Sequence, residues 1–176
     1  HSFYGAAFSE NTRAINERGF YWGLKTRLHQ RWQLSVYYDA FRFPWLKFLV
    51  DAPSGGYETL SRLTWKPSKT IQAYVQVREE RKGRNLRDND TRLDVVVPSR
   101  RRNLQLNADI KADKNLFLRS RVQWSSYYQE GGRAPTYGFA IVQDAIFDLG
   151  FCKLSSRFAL FQADDFENRQ YVFEKD

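Results

Sequence analysis

From Trp32 to Ala40 the chain reads WQLSVYYDA, with Trp32, Leu34, Val36, Tyr38 and Ala40 at alternate positions and Gln33, Ser35, Tyr37 and Asp39 between them. A period of two is that of a strand whose faces meet different surroundings. The rhythm recurs where Phe20, Trp22, Leu24 and Leu28 alternate with Tyr21, Gly23, Lys25 and Arg27, and where Ile71, Ala73, Val75 and Val77 alternate with Gln72, Tyr74, Gln76 and Arg78. It recurs again from Leu104 to Ala112, from Leu116 to Trp124, and from Cys152 to Leu160. Residues 57–65 and 137–147 alternate less cleanly, and 168–174 is a short ninth candidate. No segment carries a helical period. The expectation is an all-β antiparallel up-and-down meander of about eight to nine strands.

Connection lengths add polarity to this sheet. His29-Gln30-Arg31, Lys66-Pro67-Ser68-Lys69, Asp113-Lys114-Asn115 and Asp148-Leu149-Gly150 read as hairpin turns. The connections at 41–56, 79–101, 129–136 and 162–167 are longer, and the two kinds alternate. In a meander every second connection lies at the same end. His29, Ser68, Lys114 and Leu149 are therefore expected at a trimmed end, and Asp51, Asp88, Gly132 and Asp165 at an elaborated one. Outer-membrane barrels have this asymmetry. A soluble sandwich or lipocalin-like barrel binding an apolar ligand alternates in the same way, with its apolar set facing a shared core. Runs long enough for a tilted bilayer crossing, and aromatic residues near strand ends, favour the membrane barrel. Trp22, Trp32, Trp65, Trp124, Tyr38 and Tyr128 all fall on the apolar parity.

Composition narrows the partners. The 176 residues carry 28 Lys and Arg against 20 Asp and Glu, a net charge of +8, with 16% aromatic residues. That balance favours anionic partners without choosing among lipid, solute and nucleic acid. One cysteine and two histidines exclude an internal disulfide and any zinc-type spacing, so no cofactor is expected. No apolar run is long enough for a membrane-spanning helix. Methionine is absent, and the chain is read as a mature or internal part of a longer protein, with 1–17 a loop or the end of a preceding strand and 18–176 a barrel segment.

Three segments carry a family resemblance: RFPWLKFLVDAPSGG (Arg42 to Gly56), GFAIVQDAIF (Gly138 to Phe147) and SRFALFQADDFENRQYVFEKD (Ser156 to Asp176). Together they resemble the C-terminal outer-membrane barrel of the helix-hairpin-helix proteins of Bacteroidota. The resemblance implies an outer-membrane location in a Gram-negative cell and a barrel with further strands, supplied by the rest of the chain or by other subunits. It brings no assigned activity. The helix-hairpin-helix module of that family has no counterpart here.

With the apolar parity on lipid, the other parity would line a lumen. It carries Lys25, Arg27, Arg62, Arg78, Lys111, Arg119, Arg121, Lys153 and Arg157 against Asp39, Glu58, Glu80, Asp109 and Asp144. Such a wall would favour anionic small solutes if open; equally, Arg–carboxylate pairs could brace a plugged lumen. The stretch PWLKFLVDAPSGG is too apolar for an ordinary exposed loop. Trp45, Leu46, Lys47, Phe48 and Asp51 are expected either to narrow the mouth, with Lys47 and Asp51 facing water, or to extend strand two.

Catalysis is not expected, because His29 sits in a short turn and His1 is terminal, leaving no triad. Asp88, Asp90 and Asp94, and Asp164, Asp165 and Glu167, lack the Gly and closing Glu of a calcium loop and read as solvated acidic loops. Cys152 falls on the apolar parity, as a small packed or lipid-facing residue. The basic runs EERKGR and PSRRR raise nucleic acid, but PSRRR reads as loop and strand entry without a stacking platform, so nucleic acid is not expected as a partner. The sequence thus suggests a non-enzymatic outer-membrane barrel, porin-like or associated with transport. A barrel component of an uptake or secretion machine, DNA-related by family analogy, is the alternative beside the soluble ligand-binding barrel.

Overall fold

A computed structural model describes residues 16–47, 50–86 and 94–170. Eight strands form one antiparallel sheet in chain order: β1 (Arg18–His29), β2 (Trp32–Phe43), β3 (Ser54–Trp65), β4 (Ile71–Leu86), β5 (Val95–Lys111), β6 (Leu116–Gln129), β7 (Thr136–Asp148) and β8 (Lys153–Ala163). Each pairs only with its sequence neighbours, so β1 and β8 are edges among the described residues. A short 3-10 turn, η1 (Phe166–Asn168), follows β8. The up-and-down meander read from the alternation is the fold observed.

The expected polarity also appears. Connections 30–31, 66–70, 112–115 and 149–152 lie at one end; the strand ends Phe43, Ser54, Leu86, Val95, Gln129 and Thr136 lie at the other, where η1 follows β8. The β7–β8 turn shows why such turns stay tight. Gly150 adopts φ +84, a region favouring glycine, and its N–H donates to Asp148 Oδ1 at 3.0 Å.

Two readings of length need correction. The alternation of β4 continues past Arg78 through Glu80, Lys82 and Arg84, and β5 starts at Val95, so the expected connection 79–101 is mostly a ladder. Gly83 and Pro98, residues that ordinarily interrupt a strand, pair with each other inside it. In an antiparallel strand a residue's N–H and C=O point to the same neighbour. The Pro98 carbonyl accepts from Glu130 N–H at 3.0 Å, beyond the end of β6, so its missing donor costs no bond to β4. The ninth strand candidate opens differently: Asn168 closes η1, and 171–174 lie outside the described residues.

Candidate functional site: a braced polar face

Register sorts the side chains. The seven ladders align Lys25 with Ser35, Ser35 with Arg62, Arg62 with Gln76, and so on to Asp144 with Arg157 and Asp148 with Lys153. Because direct partners share a face, all nine basic residues expected to line a lumen lie on one face of the sheet. The aromatic and aliphatic alternates lie on the other.

Burial runs opposite to the rule for a sheet in water. On the apolar face Trp22 is 48% exposed and Leu106 45%, while on the polar face Asp144 is 8% exposed and Asn107 6%. No second layer covers the apolar side among the described residues. Its aromatic rings gather at two levels. Trp32 stacks on Trp65 near the short turns, with centroids 6.0 Å apart, and Tyr38 on Tyr57 toward the long connections, at 6.1 Å. Tyr57 and Trp65 are separated by about 26 Å of strand at ~3.3 Å per residue. Between the levels lies a shallow apolar depression of about 440 Å³ lined in part by Trp65, Val75, Leu106 and Val122.

The sheltered charges fall into two groups. On β5 to β8 one register row reads Asp109, Arg119, Asp144, Arg157, alternating in sign. Arg119 grips Asp109 through Nε at 2.8 Å and Nη2 at 3.2 Å, and Arg157 grips Asp144 at 2.6 and 3.0 Å. These two-point bonds fix direction as well as charge. On β2 to β4, Glu58 and Glu80 stand directly opposite each other. Repulsion is relieved by Arg78, whose Nη2 lies 2.5 Å from Glu58 and 3.8 Å from Glu80, by the Tyr37 hydroxyl donating to Glu58, and by the Lys82 ammonium on Glu80. Arg62 bonds Gln76 at 2.7 Å and lies over the Tyr74 ring, 4.6 Å from its centroid, while Lys153 reaches Asp148 at 3.7 Å. The structure thus brings Arg78, Arg119 and Arg157 into braces and leaves Lys25, Arg27 and Lys111 exposed. Arg101 and Arg121 are half-buried, each with a buried Nε that has no hydrogen-bond partner among the described residues.

Segments from the long-connection end fold onto this polar face. On β2 the polar parity turns apolar at Phe41 and Phe43, both buried, as is Val50. Lys47 and Val50 exchange backbone hydrogen bonds at 3.4 and 3.0 Å, closing a tight reversal. The Lys47 ammonium, expected to face water, is partly exposed and sits 3.9 Å from the Phe43 ring centroid. Asp51 is exposed, and its N–H donates to Asn85 Oδ1 at 3.1 Å. Trp45 and Leu46 are exposed rather than packed, and Phe48 and Leu49 lie outside the described residues.

The second segment, 164–170, lies in the resembling stretch 156–176, and its acidic residues were expected to form a solvated loop. Asp165 caps η1 by accepting from Asn168 N–H at 3.0 Å, and it also accepts from Thr136 Oγ1 at 2.6 Å. Asn168 is fully buried, with Nδ2 donating to Thr136 at 2.7 Å and Oδ1 accepting from Ser125 at 3.1 Å. A side chain at Gly138 would collide here, since a Cβ would stand 2.4 Å from the Asn168 carbonyl. Asp164 accepts from Tyr137 N–H at 2.9 Å, and Glu167 lies 3.7 Å from Arg84 on β4. These carboxylates hold a fold-back rather than forming a solvated loop. Asp94 accepts from Asn85 Nδ2 at 3.2 Å, and Asp88 and Asp90 lie outside the described residues. Among the described residues no three His, Cys, Asp or Glu side chains gather as metal ligands.

Three smaller expectations are also settled by position. Cys152 is exposed in the turn before β8, on the parity of Leu154, so of its two expected placements the packed one is not observed. His29 ends β1 beside a short turn. The run PSRRR lies within β5, where alternation sends Arg101 to the polar face opposite Glu80 and Arg100 and Arg102 to the apolar one, so it forms no continuous basic stripe.

Known protein families, characterised proteins and solved structures yield no match to this chain.

Proposed function

We propose that this sheet is a segment of an outer-membrane β-barrel, porin-like or associated with transport, with the braced polar face turned to the lumen and the apolar face to lipid. The observation that carries the reading is the inversion of burial: carboxylates and amides are sheltered while tryptophans and leucines stand open. A water-soluble sheet buries its apolar face beneath a second layer. The two aromatic levels, the short and long ends, and the resemblance of 42–56, 138–147 and 156–176 to the Bacteroidota barrels support the same reading. The free edges of β1 and β8 would pair with further strands of the barrel, since open edges do not persist in hydrocarbon.

The lumen in this reading is cationic. Braces neutralise Arg78, Arg119 and Arg157, whereas Lys25, Arg27, Lys111, Arg101 and Arg121 lack a carboxylate within ion-pair distance among the described residues. Anionic solutes would be concentrated there without any catalytic step. The reversal closed by Lys47 and Val50 and the fold-back at 164–170 would narrow its mouth. Planar-bilayer recording of the protein across a KCl gradient tests this, with a reversal potential on the chloride side expected and Arg121→Glu moving it toward potassium. Cation preference in the unaltered protein, or no conductance with the barrel inserted, would contradict the open anion pathway. The soluble ligand-binding barrel is a second reading, favoured by the depression between Trp65 and Leu106, but that depression lies on the uncovered face.

A further inference from the structure

On the apolar face, charge is confined to one end. Along the eight strands its charged residues are Arg18, Arg42, Arg81, Arg100 and Arg102, with a single carboxylate, Glu79. All six lie toward the long connections, from the level of Tyr38 outward, and the rows nearer the short turns carry none. The five arginines are exposed. Two pairs stand directly opposite on neighbouring strands, Arg18 with Arg42 and Arg81 with Arg100. Opposed like charges destabilise a ladder unless an anion lies between them. Glu79 is already engaged, accepting from Arg102 Nε at 2.7 Å and from the Tyr57 hydroxyl at 2.9 Å. Beside Arg81 there is a hollow of about 360 Å³, whose lining includes Gly55, Tyr57, Gly83 and Pro98.

We infer that Arg81 and Arg100, with Arg102 and the adjoining hollow, bind the phosphate headgroup of an outer-leaflet lipid. The inference rests on reading the apolar face as lipid-facing. Its position supplies the occupant: Arg81 and Arg100 share a register row with Tyr57 and Tyr128, so an anion there sits at the aromatic level that marks the edge of the apolar band, with acyl chains continuing over Val77 and Leu104. The use of arginine fits as well, because a planar guanidinium binds phosphate oxygens at two points where an ammonium makes a point contact.

Native mass spectrometry of the detergent-extracted protein tests this, with lipid A, its dephosphorylated form and inorganic phosphate as probes. The unaltered protein should retain lipid A over the dephosphorylated form. The R81Q/R100Q variant should lose that retention by roughly tenfold or more. A K69Q/K114Q variant, which removes the same charge at the short-turn end, should keep it. Equal retention of the two lipid forms, or displacement of lipid A by inorganic phosphate at equal concentration, would overturn the lipid-phosphate site while leaving the membrane reading standing. A protein that stays monodisperse without detergent and retains neither lipid would instead overturn the membrane reading beneath it.

Discussion

Asp144–Arg157 and Glu79–Arg102 have similar leading contacts, 2.6 and 2.7 Å, the first doubled by a second bond at 3.0 Å and the second single, and they sit on opposite faces of one sheet. On the polar face the Asp144 side chain is only 11% exposed, and it belongs to a row of alternating charges. On the apolar face the Glu79 side chain is 23% exposed, and Arg102 is 51% exposed against 30% for Arg157. The same ion pair thus acts as a sheltered cross-strand brace in one place and as a solvated edge contact in the other. What differs is how far each pair is sheltered, as it would be if the two faces met different media.

The largest expected break of this contrast comes from placing charge on the apolar face. Leu106→Arg or Val75→Arg should cost about 2–4 kcal/mol of barrel stability in lipid. Gln105→Arg, one residue away on the other face, should be tolerated. Urea titration in vesicles followed by tryptophan fluorescence measures both, and equal costs would remove the distinction.

Removing a brace should come next. Asp144→Ala leaves Arg157 without its carboxylate on a sheltered face and should cost about 1–3 kcal/mol, and Asp144→Asn should recover part of it. The matching change at the rim, Glu79→Ala, should cost about 0–1 kcal/mol, as exposed pairs do. If the two alanine variants match in the same titration, the polar face is no more sheltered than the rim.

Gly138→Ala should have the smallest global effect and a local one instead. The methyl group meets the Asn168 carbonyl, so the fold-back at 164–170 should detach while β7 stays paired. Faster hydrogen exchange confined to 164–170 would show this; unchanged exchange there would mean that the segment is not held by that fit.

These contrasts also explain what the sequence made legible. Alternation exposes parity directly, so the meander and the common face of Lys25, Arg62, Arg119 and Arg157 could be read from spacing alone. Strand length was hidden by Gly83, Pro98 and the charges between them. Those residues argue for a loop locally, but their fit depends on where β6 ends. Trp45 and Leu46 were expected to pack because they are apolar, whereas Phe43 and Val50 took the buried places through the reversal at Lys47. The network of Asn168, Ser125 and Thr136 left no periodic trace, since it joins residues far apart in the chain that only the register of β6 and β7 brings together.

The central claim is that one face meets hydrocarbon and the other a polar interior. Nitroxide scanning from 103 to 110 in vesicles, with Cys152 first replaced by serine, tests it most directly. Oxygen accessibility should peak at 104, 106, 108 and 110 and fall at 103, 105, 107 and 109, with a polar nickel chelate excluded from the even set. Strong access of the nickel chelate to Leu104 and Leu106 would contradict it, because those side chains would then stand in water.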